Sequence, residues 1–232
     1  MDERYDYRMA AAYYRGRAIR KNKPDFAQEL LKKPLSMLTD EETEQIVAAG
    51  RAADDKLYYF KRTHENMARV RRVLGFLKSV TFDSLLDVGS SRGVFLLPFM
   101  AEFPWVQVTS VDILPHRVQF LQDLSAGGIT QLTAISADIT TQPMPEKSHD
   151  IVTMLEVLEH IPDVERAVQA AVKIAGKYIV VSVPGKPDDN PEHIHLLTKE
   201  VLTALFEKAG CRKLHFDGVN GHLILIAALV GA

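Results

Sequence analysis

Cysteine is almost missing from this 232-residue chain, with Cys211 the only one. No internal disulfide can form, and a cytoplasmic location is the expectation. Long apolar runs are missing too. The longest, "LILIAALV" (Leu223 to Val230), is eight residues, far short of the ~20 that a membrane span needs. The opening "MDERYDYR" is charged from the start. It has no apolar h-region, so no secretory signal is expected. Repeats and low-complexity segments are also lacking. What remains has a globular balance of apolar and charged residues, enough for a sizeable core without staples.

Charge is unevenly spread. Residues 1–80 carry 17 basic against 12 acidic side chains, whereas the remainder carries 11 against 18. The basic excess centres on "YYRGRAIRKNK", Tyr13 to Lys23. It is either a solvated helix face or an arm that meets an anionic partner or closes over a substrate. Tyr5, Tyr7, Tyr13 and Tyr14, interleaved with Arg15 and Arg17, suit a lid or core packing equally. Residues 1–80 read as a helical extension. Thr39 followed by Glu42 is a capping-box signature, with Gly50 as a stop. From Asp54 to Lys78, Leu57, Phe60, His64, Met67, Val70, Leu74 and Leu77 recur at spacings of three and four, which predicts one long amphipathic helix.

From Ser84 the period changes. β-rich runs such as "LLDVG", "VQVTSVD", "LTAISAD", "HDIVTMLE" and "YIVVSVP" alternate with helical ones. That alternation predicts an α/β fold, a Rossmann-like seven-stranded and mostly parallel sheet with helices on both faces, over residues 81–232. The last two strands have no helix between them. "FDGVNGH" joins them through Asn220-Gly221, so they form an antiparallel hairpin at the sheet edge or just inside it.

The chemistry-bearing residues fall at strand ends. "SLLDVGSSRGVF" carries Asp87, Gly89, Ser90, Ser91 and Gly93 just before a helix. "VTSVDI" ends in Asp112 and Ile113, with Asp112 lying 25 residues beyond Asp87, about one β–α–β step. A carboxylate there accepts hydrogen bonds from two neighbouring ribose hydroxyls. The nicotinamide pattern G-x-G-x-x-G is missing, and an Asp before the first glycine would repel a pyrophosphate. It suits a ligand carrying a sulfonium and an ammonium group. As alternatives, Asp112 is a helix N-cap and Asp138 a turn cap.

In this order, "LLDVGSSRGVF", "VTSVDI", "SADI" and "HDIVTMLEVLEHIPD", followed by the hairpin, resemble the class I S-adenosylmethionine-dependent methyltransferases. The resemblance runs from Ser84 to Val230 and implies S-adenosylmethionine as cofactor. It places Asp87 and the Gly89–Gly93 loop at the methionine moiety, Asp112 on the ribose and Ile113 against the adenine. Asp138 and Ile139 are placed by the adenine amino group, and Glu156 at the methionine end. The "EVLEH" stretch is similar to that of ubiquinone-biosynthesis O-methyltransferases and of Hen-type small-RNA 2′-O-methyltransferases.

Methyl transfer to a hydroxyl needs a base, or a metal that lowers the hydroxyl pKa. His160, His193 and His195 are the candidate bases, with His193 and His195 expected to point the same way in an extended segment. Glu156, Glu159 and His160, joined by His195 or by His193, form an alternative ligand set for a divalent ion such as Mg, Mn or Zn. His160 also fits a plain turn. Asp163 reads as the cap of "VERAVQAAVKI". No Asn/Asp-Pro-Pro-aromatic motif follows the fourth strand, which disfavours amino methylation of bases. The lone Cys211 excludes a cysteine-nucleophile pyrimidine methylase. The expected partner is a small-molecule methyl acceptor. RNA is an alternative through the basic arm, and a catalytically silent partner protein is another. The oligomeric state is not legible.

Overall fold

The computed structural model describes residues 6–22, 28–54, 57–187 and 189–229. Tyr5, Lys23 and the Asp55–Lys56 step therefore lie outside the described residues. Seven strands form one sheet: β1 (Ser84–Val88), β2 (Gln107–Asp112), β3 (Leu132–Ser136), β4 (His149–Leu155), β5 (Ala175–Pro184), β6 (Lys213–Val219) and β7 (His222–Ala228). Their order is β3-β2-β1-β4-β5-β7-β6. The first five are parallel neighbours, and β7 runs antiparallel between β5 and β6. The hairpin thus turns its second strand inward and leaves its first at the edge.

Adjacent residues on one strand serve opposite cores. Leu85 packs into the layer that holds the N-terminal helices and Leu86 into the other, as the two-residue period of a strand requires. The first layer contains α1 (Tyr7–Arg20), α2 (Gln28–Lys32), α3 (Asp40–Ala52), α4 (Ala68–Leu77), α5 (Leu96–Glu102) and α6 (Pro115–Ala126). The second contains α7 (Val164–Ile174) and α8 (Lys199–Lys208). On α7, Ala167, Val168, Ala171 and Ile174 are buried, a stripe at helical spacing. Local signals set several ends. Thr39 and Glu42 form a complete capping box, and Asp163 Oδ1 accepts from the Arg166 N–H at 3.0 Å.

The N-terminal region departs from expectation in two ways. The helix expected from Asp54 to Lys78 is broken. Leu57–Phe60 and Arg62–Asn66 are short 3-10 turns, and α4 starts only after an extended Met67 (φ −65°, ψ 125°). Tertiary packing overrides the periodicity. Phe60 is buried against Tyr13 and Phe120, with centroids 5.4 and 5.6 Å away, and the chain then turns to lay α4 on the sheet. The basic segment is also largely absorbed. Arg15 is buried, with Nη2 donating to the Leu31 and Lys33 carbonyls. Burial pushes the Arg15 guanidinium below its ordinary pKa. Arg20 makes a two-pronged bond to the buried Asp123, 2.8 Å on each prong. Tyr14 is buried and Tyr13 stacks inside the core.

Candidate active site

Parallel pairing brings four strand ends to one edge. Val88 lies beside Val111 and Met154, and Leu155 beside Ser182. A cavity of about 700 Å3 opens there, at the carboxyl ends of the strands where open α/β sheets bind ligands. Its walls carry six acidic side chains, Asp87, Asp112, Asp138, Glu156, Asp163 and Glu192, and two arginines, Arg69 and Arg117.

Asp87 is fully buried. Its Oδ1 accepts from Thr153 Oγ1 at 2.5 Å. Burial pushes its pKa up to about 6, against the pull of hydrogen bonds from Thr153 and Ser90 and with a further push from Asp112. Gly89 follows at φ 70°, and a Cβ there would meet Val157 at 2.5 Å. Only glycine lets the loop lie this close to the turn after β4. Ser90 points inward, donating to the Asp87 carbonyl at 3.0 Å and accepting from Ser110 at 2.7 Å. Ser91 adopts φ 51°, the left-handed backbone a glycine would take freely. Its N–H donates to Asp112 Oδ2 at 3.1 Å, while Leu114 N–H donates to Oδ1 at 2.9 Å. Each Asp112 oxygen keeps a second lone pair for a ligand. Ile113 is 66% exposed on the cavity wall. Asp138 uses Oδ1 to accept from both Thr140 N–H and Oγ1, at 2.8 and 2.7 Å. It is a turn cap with Oδ2 left over among the described residues. Ile139 is buried beside it.

The turn after β4 splits "EVLEH" in two. Glu156 sits at φ 59° and faces β5 and β7. Oε1 accepts from Ser182 Oγ at 2.7 Å, and Oε2 is 2.9 Å from His222 Nδ1. Leu158–His160 then make one 3-10 turn that aims Glu159 and His160 elsewhere. Glu159, His160 and His193 converge, with ligand-capable atoms all within 4.8 Å of one another. His160 and His193 meet edge-on at 4.8 Å. The expected four-residue metal set is therefore not assembled, because Glu156 and His195 lie outside the cluster and His193 enters it. His193 and His195 also do not share partners. Asn190 Nδ2 is 3.0 Å from His193 Nε2, whereas His195 Nε2 is 3.0 Å from the Ile161 carbonyl. His160 Nδ1 lies 2.9 Å from the Glu192 carbonyl. A carbonyl only accepts, so Nδ1 carries the proton and Nε2 is the basic nitrogen of the neutral ring.

Arg69, Ser182 and His222 were not singled out from sequence. Arg69 sits in a helix whose arginines look like a solvated face, and His222 reads as an ordinary hairpin residue. Cys211 is buried away from the cavity lining, its thiol pKa raised by burial.

The chemistry of the lining can be tested against ligand classes. The strand-end carboxylates fit a ligand rich in hydroxyl and cationic nitrogen or sulfur groups, and they oppose a pyrophosphate. One arginine, Arg69, stands on the α4 wall for a single anionic group. The other, Arg117, lies 3.8 Å from Asp112 Oδ2.

Comparisons with known proteins follow this geometry. The family profile described as "Methyltransferase domain" matches residues 58–215. The ribosomal RNA small subunit methyltransferase G of Limosilactobacillus reuteri is 35% identical over 112 residues, 46% of each chain. The ubiquinone biosynthesis O-methyltransferase of Pseudomonas putida is 34% identical over 139 residues, covering 57% of this chain and 58% of that one. The chain spans about half the length of these curated relatives. Among solved structures, a SAM dependent methyltransferase from Aquifex aeolicus superposes with a TM-score of 0.61 at 17% identity. It covers 79% of this chain and 98% of its own, and so shares the fold.

Proposed function

The chain belongs to the methyltransferase-domain family, and from that membership we propose that it is an S-adenosylmethionine-dependent methyltransferase acting on an oxygen of a small metabolite. The observation that carries this reading is the cavity walled by Asp87, Asp112, Asp138 and Glu156 at four successive strand ends. When bound, the cofactor supplies an electrophilic methyl group on a sulfonium, already an excellent leaving group. The chain's own work is alignment and exclusion of water. Asp112 accepts from the two ribose hydroxyls through its spare lone pairs. Ile113 and Ile139 flank the adenine, and Asp138 Oδ2 accepts from its amino group. Asp87, Ser90, Ser91 and the Gly89–Gly93 loop surround the methionine part, where Asp87 and Glu156 favour its positive charges. Arg69 pairs with its carboxylate, a job the sequence did not assign. His160 Nε2 receives the acceptor's proton, with His193 beside it and His195 holding the loop.

A small acceptor is supported by the likeness to a ubiquinone biosynthesis O-methyltransferase. The basic segment lends RNA little support, because Arg15 is buried and Arg20 is bound to Asp123. A second reading rests on the Glu159, His160 and His193 cluster. These residues would hold a divalent ion such as Mg, Mn or Zn, which lowers the pKa of a hydroxyl.

Calorimetry with S-adenosylhomocysteine tests the cofactor. Binding is expected, weakened tenfold or more by Asp112→Ala, and its absence in the wild type would sink the proposal. Radiolabelled S-adenosylmethionine with fractionated metabolites and RNA tests the acceptor. Label in a metabolite fraction is expected, and label in RNA alone would overturn the small-molecule part. Turnover unchanged by EDTA would remove the metal.

A further inference from the structure

Glu156 is an acidic residue in left-handed backbone, at φ 59°. That conformation costs a residue with a Cβ roughly 1 kcal/mol or more, so its surroundings must hold it. Three contacts do. Its N–H donates to the Ser182 carbonyl at 2.8 Å. Ser182 Oγ donates to Oε1 at 2.7 Å, and His222 Nδ1 stands 2.9 Å from Oε2. Ser182 lies on β5. His222 opens β7, opposite Pro184 on β5 and Val219 on β6. Only the antiparallel insertion of β7 beside β5 brings the imidazole to this carboxylate. Glu156 and Ser182 line the cavity; His222 stands behind them, with its side chain 26% exposed.

We propose that His222 is a positioning residue for Glu156. With Ser182 it clamps the carboxylate beside the methionine end of the cofactor, so this inference deepens the methyltransferase reading and rests on it. The clamp also explains why Glu156 does not join Glu159 and His160. Two of its oxygens' contacts are already made, on the far side of the turn. The E-x-x-E-H stretch therefore serves two stations, a clamped carboxylate for the cofactor and a separate cluster for the acceptor side. Among the described residues, Glu156 is the one titratable group within ion-pair distance of His222, and its strand partners Pro184 and Val219 carry no charge.

The test uses the full chain, S-adenosylhomocysteine as probe and two substitutions. His222→Leu removes the imidazole, whereas His222→Asn keeps an N–H group close to the Nδ1 position. The first should weaken binding tenfold or more at pH 7, and the second by threefold or less, with melting temperatures confirming that both fold. The His222 ring resonances in NMR spectra give an independent readout. Glu156→Gln should displace them. Binding by His222→Leu within twofold of wild type, or His222 ring resonances indifferent to Glu156→Gln, overturns the proposal. If the wild type fails to bind S-adenosylhomocysteine, the cofactor reading fails, and the ring resonances alone decide whether the clamp exists.

Discussion

Asp87 carries the sharpest conflict between stability and binding. It is wholly buried, and loss of hydration is the main reason its pKa reaches about 6, from an ordinary value of 3.8. The sign follows directly. A raised carboxyl pKa means the folded chain holds the proton more tightly than the unfolded chain does. Stability from this group is complete below about pH 4, is lost as pH rises towards 6, and stays lost above. The cost at neutral pH is about 3 kcal/mol. Asp87→Asn should therefore raise the melting temperature of the ligand-free protein at pH 7.5 and change it little at pH 4. The same substitution should weaken S-adenosylhomocysteine binding, because a cationic ammonium beside Asp87 favours the ionised form. Calorimetry near pH 6 in two buffers of different ionisation heat should show up to about half a proton released on binding by the wild type and none by the variant. No release by the wild type would contradict the placement of Asp87 at the methionine end. The carboxylates themselves were legible in sequence because each ends a strand. Ser91 was legible only as a departure. Its φ of 51° shows that the loop keeps a glycine-like shape without the glycine.

Between elements, α1 and α6 cross in close backbone contact. A Cβ on Gly16 would stand 1.8 Å from the Asp123 carbonyl oxygen, and one on Gly127 would stand 1.7 Å from that of Ala12. The two backbones touch, so Gly16→Ala forces the helices apart and should cost about 3 kcal/mol in urea unfolding. Gly75 on α4 is the internal control, since a Cβ there meets nothing within 4 Å. Gly75→Ala should stabilise by ~0.5–1 kcal/mol through helix propensity. Equal effects at the two sites would argue against the close crossing. Helix ends were readable where a side chain caps its own backbone, as Thr39 and Asp163 do. The break at Met67 was not readable. The residues around it keep a helical period, and the partners that pull Phe60 away, Tyr13 and Phe120, are remote in sequence.

For the whole molecule, the basic N-terminal segment behaves as core. Met9, Ala10, Ala11, Ala12 and Tyr14 are buried, and Arg20 neutralises the buried Asp123. A chain lacking residues 1–22 would expose the α6 face and leave that carboxylate unpaired, a loss of several kcal/mol. It should melt at least 10 °C lower and bind a hydrophobic dye. A truncated chain as stable as the parent would instead support a detachable extension ending near residue 80. By itself the sequence determined the strands, their mostly parallel order and the strand-end carboxylates, because these depend on local periodicity and on residue types at strand ends; the cofactor class came with the family resemblance those residues carry. Tertiary structure alone decided which side chains meet. It sent Glu156 to Ser182 and His222, drew His193 rather than His195 to His160, set Arg69 over the cavity and buried Arg15. Each of these meetings joins residues far apart in the chain, across a sheet order and a turn geometry that no local spacing encodes.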